Sequence, residues 1–349
     1  MVNPLYLLIV IEFVVIHLLT HLLLPFNIKI SRRYNILALP SERRIHKTAI
    51  PEAGGLCFAI PIIVAQASFG LLSGDPALGR MLLQLSGVGL LAIALGLWDD
   101  KYESHANYKL IWQLSIGVIM YFIGYRVLYL TNPLGEHFVL GWMSFPVTIL
   151  WYLIILNAIN LIDGMDGLAS GISAIVCAVL LIVGIKEGNL LVITICAFLL
   201  AGSSAFLFYN FFPAKIFLGE TGALFIGLNI AAISTAGSSQ FKGITSMTLM
   251  IPLAVMAVPL LDVALAVVRR VRFGNIFRAD KAHIHHTMLA FGFSQKAISI
   301  IVYIVTLLFG LIAIGFSFSS KKILFSVLLG LLAFMVVIAY MLMRQEQKK

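Results

Sequence analysis

Charge is what this chain lacks most. Only 11% of its 349 residues are Asp, Glu, Lys or Arg, while 61% are hydrophobic, with a mean hydropathy of +1.03. That balance excludes a soluble domain of this length and places the chain among integral membrane proteins. Cysteine is scarce: Cys57, Cys177 and Cys196 all fall within apolar runs, which excludes a disulfide framework. The alternation of a transmembrane barrel strand is missing, so the spans read as helices. No basic residue precedes the first apolar run, Leu5–Phe26, whereas Lys29, Arg32 and Arg33 follow it. This is the reverse of a secretory signal, and it predicts a retained first span with its N-terminus outside. Internal repeats and low-complexity tracts are absent too, so residues 1–349 read as one integral-membrane domain. The net charge of +9 fits anionic headgroups and inner loops, not nucleic acid.

What is present is a series of apolar runs about 17–25 residues long, enough to cross roughly 30 Å of hydrocarbon as helices. The expected architecture is all-α: a polytopic bundle of about eleven transmembrane helices. The spans are 4–26, 53–73, 81–97, 110–130, 146–162, 172–185, 190–208, 223–236, 247–268, 298–318 and 323–343. The sixth and eighth are short for a span. With the N-terminus outside and the C-terminus cytoplasmic, the inner segments carry eighteen of the 24 Lys and Arg residues, as the positive-inside rule requires. Every polar cluster then falls at a span end on the cytoplasmic side. Ionisable groups at such depth are costly and mark function.

Four clusters stand out. Asp99-Asp100 ends the third span. A helix continuing past Trp98 would put Glu103 on the same face, a set of hard oxygens suited to Mg²⁺ or Mn²⁺. A solvated loop is the plainer alternative. Asn157, Asn160, Asp163 and Asp166 close the fifth span, with Gly164 and Gly167 allowing the chain to turn; together they can bind a metal and a sugar or phosphate, although such residues also cap helices. Glu220 precedes Thr221, a candidate cap for the eighth helix, and reads equally as a helix-start acid or a metal ligand. Arg278, Lys281, His283, His285 and His286 suit phosphate better than zinc, as do Arg43, Arg44, His46 and Lys47; both segments could instead only set topology. Glu12, His17 and His21 in the first span read as residues that face other helices or snorkel to the interface.

In this order the motifs resemble the polyprenyl-phosphate N-acetylhexosamine-1-phosphate transferases, in the undecaprenyl-phosphate GlcNAc-1-phosphate transferase branch of glycosyltransferase family 4. Arg43-Arg44-Ile45-His46 with Pro51 and Gly54-Gly55 is similar to the R-K-x-H…P-x-x-G-G first-loop motif. Asp99-Asp100 resembles the paired aspartates, followed by Lys109 and Gln113. Residues 157–171 are similar to N-x-x-N-x-x-D-G-x-D-G-L-A-x-G, and His283-Ile284-His285-His286 to H-I-H-H. The phospho-MurNAc-pentapeptide transferases differ in the first loop and the His motif and rank second; a degenerate, non-catalytic homologue is the other alternative. The departure is Glu220, where the family usually has a metal-ligating Asp.

The resemblance implies transfer of N-acetylhexosamine 1-phosphate, with GlcNAc leading, from a UDP-N-acetylhexosamine to undecaprenyl phosphate. The products would be undecaprenyl-diphospho-sugar and UMP, the first membrane step of a cell-envelope glycan. It implies Mg²⁺, with Mn²⁺ as the alternative, at Asn160 and Glu220. Asp99 and Asp100 would orient the lipid phosphate or take its residual proton, and Asp163 and Asp166 would support the metal or bind uridine and diphosphate. Substrate contacts would come from Arg43, Arg44, His46, Lys109, Asn157, Arg278, His283, His285 and His286. The setting would be the bacterial inner membrane, with the active site facing the cytoplasm and room for a homodimer.

Overall fold

The computed structural model describes residues 4–40, 48–130, 138–240, 256–257, 260–261 and 288–318, with isolated positions between 326 and 337. Within these residues the chain is mostly helical. The helices are α1 (Pro4–Arg33), α2 (Leu56–Leu72), α3 (Pro76–Tyr102), α4 (Ala106–Phe122), α5 (Ser144–Ile162), α6 (Leu168–Glu187), α7 (Leu190–Asn210), α8 (Gly219–Gln240) and α9 (Gln295–Phe318). Six helical segments among the described residues are long and apolar enough to cross a membrane: Pro4–Arg33, Pro76–Tyr102, Gly141–Ile162, Leu168–Glu187, Leu190–Asn210 and Gln295–Gly315. Leu56–Leu72 is a shorter apolar helix.

The first eight expected spans and the tenth each coincide with a helix, but several edges move. The stretch expected to span 110–130 is helical only over Ala106–Phe122; Tyr129–Leu130 (β3) pairs antiparallel with Phe138–Val139 (β4) instead. The two short spans lengthen, to Leu168–Glu187 and Gly219–Gln240. The expected spans 247–268 and 323–343 lie largely outside the described residues. α3 does continue past Trp98, but it stops at Tyr102, and Glu103 sits in a left-handed C-cap with φ 48°. Glu103 is exposed and does not join the face of Asp99 and Asp100, both of which are buried.

Successive helices run up and down, as short connections require. One end of the bundle therefore gathers the C-termini of α1, α3, α5 and α7 with the N-termini of α2, α4, α6 and α8. α8 is the axis. Every residue from Thr221 to Ala236 is buried, between α2, α3, α5 and α7. Its polar groups bond to neighbours: Gln66 Nε2 donates to Asn229 Oδ1 at 2.9 Å, Trp151 Nε1 to Ser234 Oγ at 2.7 Å, and Tyr152 Oη meets Thr235 Oγ1 at 3.0 Å. Away from water such groups are costly unless paired, so these bonds fix the helix in rotation as well as in place.

The polar residues of α1 face other helices, as expected. Ser68 Oγ donates to Glu12 at 2.9 Å, and His17 Nδ1 lies 3.1 Å from the Ala201 carbonyl. His21 packs against the rings of His17, Phe208 and Tyr209.

Candidate active site at the N-terminus of α8

The site is built where α8 begins. A helix start leaves backbone N–H groups without intrahelical partners and carries a partial positive charge. Here those groups are taken by a carboxylate from another helix. Asp100 accepts from Glu220 N at 2.6 Å, Thr221 N at 3.1 Å and Thr221 Oγ1 at 2.5 Å. Thr221 was the expected cap; the cap is Asp100, and Thr221 donates to it. The fit depends on Gly219, which has φ +73°, and whose missing Cβ would lie 2.7 Å from Asp100 Oδ2. Only glycine combines that conformation with so close an approach.

The loop before α8 is clamped to the start of α2. Phe217 N donates to the Pro51 carbonyl at 2.8 Å, and Gly54 N and Gly55 N donate to Phe217 O and Leu218 O, both at 3.0 Å. From α1, Asn27 and Ser31 donate to the carbonyls of Ala53 and Glu52. Leu37–Ala38 (β1) and Ile50–Pro51 (β2) pair antiparallel beside them, with Leu37 opposite Pro51 and Ala38 opposite Ile50. The Gly54-Gly55 step thus serves to bring this strand against α8.

Around Glu220 the side chains form one network. Lys109 Nζ, from the first turn of α4, is 2.7 Å from Glu220 Oε1 and 2.7 Å from Asp99 Oδ2. Asn160 Nδ2 donates to the same Glu220 oxygen at 2.7 Å. One turn further along both helices, Asn157 Nδ2 donates to Gln113 Oε1 at 2.7 Å. The spacing is the reason: Lys109 and Gln113 are four apart on α4, Asn157 and Asn160 three apart on α5, so each pair lies on one helical face. Asp99 also accepts from Ser104 N at 3.0 Å as the chain leaves α3. Burial by itself lowers the Lys109 pKa, but the Glu220 and Asp99 carboxylates outweigh it and the ammonium is held more firmly than usual.

Asp163 follows the last residue of α5. Its carboxyl is pushed well above the ordinary range, by burial first and then by the charges of Glu220, Asp100 and Glu52, against a hydrogen bond from the Gly219 backbone. Asp166 accepts from Ala214 N at 2.9 Å. It lines a cavity of about 500 Å³ with Ile50, Arg32, Pro213, Lys215 and Gln295; the Gln295 side-chain oxygen has no hydrogen-bond partner among the described residues. The turn after Asp166 passes through Gly167 at φ +76°, as the glycine spacing predicts, and Tyr303 Oη from α9 donates to its carbonyl at 2.5 Å.

Of the residues expected at the site, the structure brings Asp99, Asp100, Lys109, Asn160, Asp163 and Glu220 together, places Asn157 one turn along, and sets Asp166 on the adjoining cavity. Arg43, Arg44, His46, Arg278, His283, His285 and His286 lie outside the described residues. Sequence reasoning passed over Glu52, Arg32, Lys215 and Tyr303. Lys215 had a signal, as the single cation in an inner loop; Tyr303, inside an apolar run, had none.

The donor set fits a hard divalent cation in one respect. Asp99 and Glu220 share a single ammonium, and the charges of Glu220, Asp100 and Glu52 add to burial in raising the proton affinity of Asp163, an imbalance that a cation would relieve. Among the described residues no three acidic, His or Cys side chains already form a metal cage. Mg²⁺ does not require one, since it commonly uses one or two carboxylates with waters and substrate phosphates.

The sequence model of Glycosyl transferase family 4 matches residues 82–238, a stretch that contains Asp99, Asp100, Lys109, Asn157, Asn160, Asp163, Asp166, Lys215 and Glu220. The chain is 34% identical over 333 residues to the probable undecaprenyl-phosphate N-acetylglucosaminyl 1-phosphate transferase of Bacillus subtilis (strain 168), covering 95% of this chain and 91% of that protein. It is 32% identical over 314 residues to the decaprenyl-phosphate N-acetylglucosaminephosphotransferase of Mycobacterium leprae (strain TN), covering 82% and 77%. With the undecaprenyl-phosphate alpha-N-acetylglucosaminyl 1-phosphate transferase of Escherichia coli (strain K12) it shares 27% identity over 305 residues, covering 83% and 79%. A bundle of apolar helices with its acids, amides and lysine gathered at one end, and relatives of this length and kind, make the chain a membrane protein that belongs to the polyprenyl-phosphate N-acetylhexosamine-1-phosphate transferases of glycosyl transferase family 4.

Proposed function

We propose that the protein transfers GlcNAc 1-phosphate from UDP-GlcNAc to undecaprenyl phosphate, releasing UMP. The observation that carries this reading is the Asp99–Lys109–Glu220–Asn160 network at the helix ends, beside a cavity walled by Asp166, Arg32 and Lys215. The names of the relatives supply the GlcNAc and the polyprenyl phosphate. A lipid phosphate cannot leave the bilayer and a sugar nucleotide cannot enter it, so the two meet only where spans end.

An oxygen of the lipid phosphate attacks the β-phosphorus of the donor. The bond from that phosphorus to the bridging oxygen breaks, and UMP leaves with the electron pair. A phosphomonoester has a second pKa near about 6 and is largely dianionic at neutral pH, so positioning and charge neutralisation matter more than a strong base. A bound Mg²⁺ would be held by Glu220 and the Asn160 amide oxygen and would neutralise the diphosphate. Asp99 orients Lys109. Asp100 holds the start of α8, and with it Glu220, in register. Asp163 takes the residual proton of the lipid phosphate or braces the metal ligands. The cavity at Asp166 receives the uridine, with Arg32 and Lys215 facing its phosphates. The surplus of Lys and Arg in the inner loops supports a reading in which this end of the bundle faces the cytoplasm and the N-terminus lies outside.

The test is UMP release by purified protein in detergent with undecaprenyl phosphate and Mg²⁺, offered UDP-GlcNAc, UDP-GalNAc or UDP-MurNAc-pentapeptide in turn. Lipid-dependent UMP from UDP-GlcNAc alone, lost in Glu220→Gln, is the expected result. No UMP from any donor, with a related transferase active in parallel, would overturn it.

A further inference from the structure

Lys109 is placed where a second cation would be its rival. Its ammonium sits 2.7 Å from Glu220 Oε1 and 2.7 Å from Asp99 Oδ2. The Asn160 amide points its N–H, not its oxygen, at the same Glu220 atom. A metal such as Mg²⁺ binds oxygen at about 2.0–2.1 Å. If it shared that oxygen with the ammonium, the two cations would lie less than about 5 Å apart, a costly repulsion in a half-buried site. Lys109 is free to give way. It is in the first turn of α4, on a flexible four-carbon stem, and its side chain is 31% exposed while Asp99 is 5% exposed. Glu220 and Asn160 are anchored more rigidly, by the start of α8 and the last turn of α5.

We propose that Lys109 and a divalent cation compete for the Glu220 carboxylate, so that metal binding frees the Lys109 ammonium for the substrate contact that the family resemblance already implies, made to the phosphates of the sugar nucleotide. Lys109 is thus a resident counter-charge: it holds Asp99 and Glu220 together in one site and is handed to the substrate as the metal takes its place. Asp99 stays its partner throughout and limits how far the stem swings. The exchange would make metal binding and donor binding mutually reinforcing, because each draws Lys109 away from Glu220. This inference rests on the reading that a divalent cation uses Glu220.

Mn²⁺ binding to the full-length protein in detergent, without donor or lipid, tests it; free Mn²⁺ is read from its paramagnetic resonance signal. Lys109→Met should bind Mn²⁺ on the order of tenfold more tightly than the unaltered chain, since one competing charge is gone. Lys109→Arg, which keeps the charge, should stay within about twofold, and Glu220→Gln should lose the site. At saturating Mn²⁺, UDP should bind Lys109→Met at least about tenfold more weakly. If Lys109→Met does not fold, Lys109→Gln carries the same comparison. Unchanged or weaker Mn²⁺ binding by the Lys109 variant, with Glu220→Gln still defective, would overturn the competition and leave the metal reading intact. Unchanged UDP binding would overturn the hand-over. Full Mn²⁺ binding by Glu220→Gln would remove the metal from Glu220 and the proposal with it.

Discussion

α1 and α8 are both helices of about membrane length, yet they solve opposite problems. α1 turns Leu7, Val10, Val14, Leu18, Leu22 and Phe26 outward, each about half exposed or more. On that face any apolar side chain will do, because lipid is as apolar as the residue it touches. α8 has no outward face among its described residues. From Thr221 to Ala236 it is enclosed, and it carries Asn229, Ser234 and Thr235 only because Gln66, Trp151 and Tyr152 are there to meet them. The peripheral helix is tolerant and the axial helix is specified residue by residue. The chemistry sits at the end of the specified one, where four carboxylates and one lysine need fixed positions.

The contrast breaks first at the helix crossings. A Cβ on Gly55 would lie 2.2 Å from the Gly222 backbone, and one on Gly96 would lie 2.4 Å from Thr221 Cα. Backbone cannot step aside as a flexible side chain can. Gly55→Leu should therefore abolish both monodisperse protein in size-exclusion chromatography and UMP release.

Next comes Asp163. Asp163→Asn should lower UMP release about 100-fold or more while the protein still folds, a result read by activity and melting together. The same variant has a pH signature. The Asp163 carboxyl is raised in the folded chain, so the folded state holds that proton more tightly than the unfolded state. Its stabilising share is complete below the ordinary carboxylate pKa and is lost as pH rises through the raised one. Melting temperature against pH should fall over that window in the unaltered protein and fall less in Asp163→Asn.

Asp100 and Asp99 are adjacent but separable. Asp100→Asn disrupts the cap on α8, leaving a buried donor short of its acceptor, and should cost about 1–3 kcal/mol of stability, with activity falling in step with the melting temperature. Asp99→Asn should lower activity with little change in melting, since Asp99 touches Lys109 and one loop N–H and caps no helix. Equal melting losses in the two variants would erase the distinction.

The smallest effect belongs to α1. Leu18→Ala or Leu22→Ala should leave stability within about 0.5 kcal/mol and UMP release unchanged; a large loss would mean that this face is covered by protein.

The sequence by itself determined a good deal. Hydropathy alone marked the membrane class and located most helices, because lipid imposes a length and an apolar composition that any span must obey. The motifs marked Asp99, Asp100, Asn157, Asn160, Asp163 and Glu220, because acids and amides at span ends are too costly to keep without use. Spacing paired Asn157 with Asn160, since helical periodicity is a local property, while Lys109 and Gln113 entered only through the family resemblance. Tertiary structure decided the rest. That Glu103 falls away depends on where α3 stops. That Asp100 caps α8, 120 residues away, that Lys109 lies between Asp99 and Glu220, and that Glu52 adds its charge to Asp163 are all relations between distant segments. Their energies depend on distance and burial, and a linear pattern of residues carries neither.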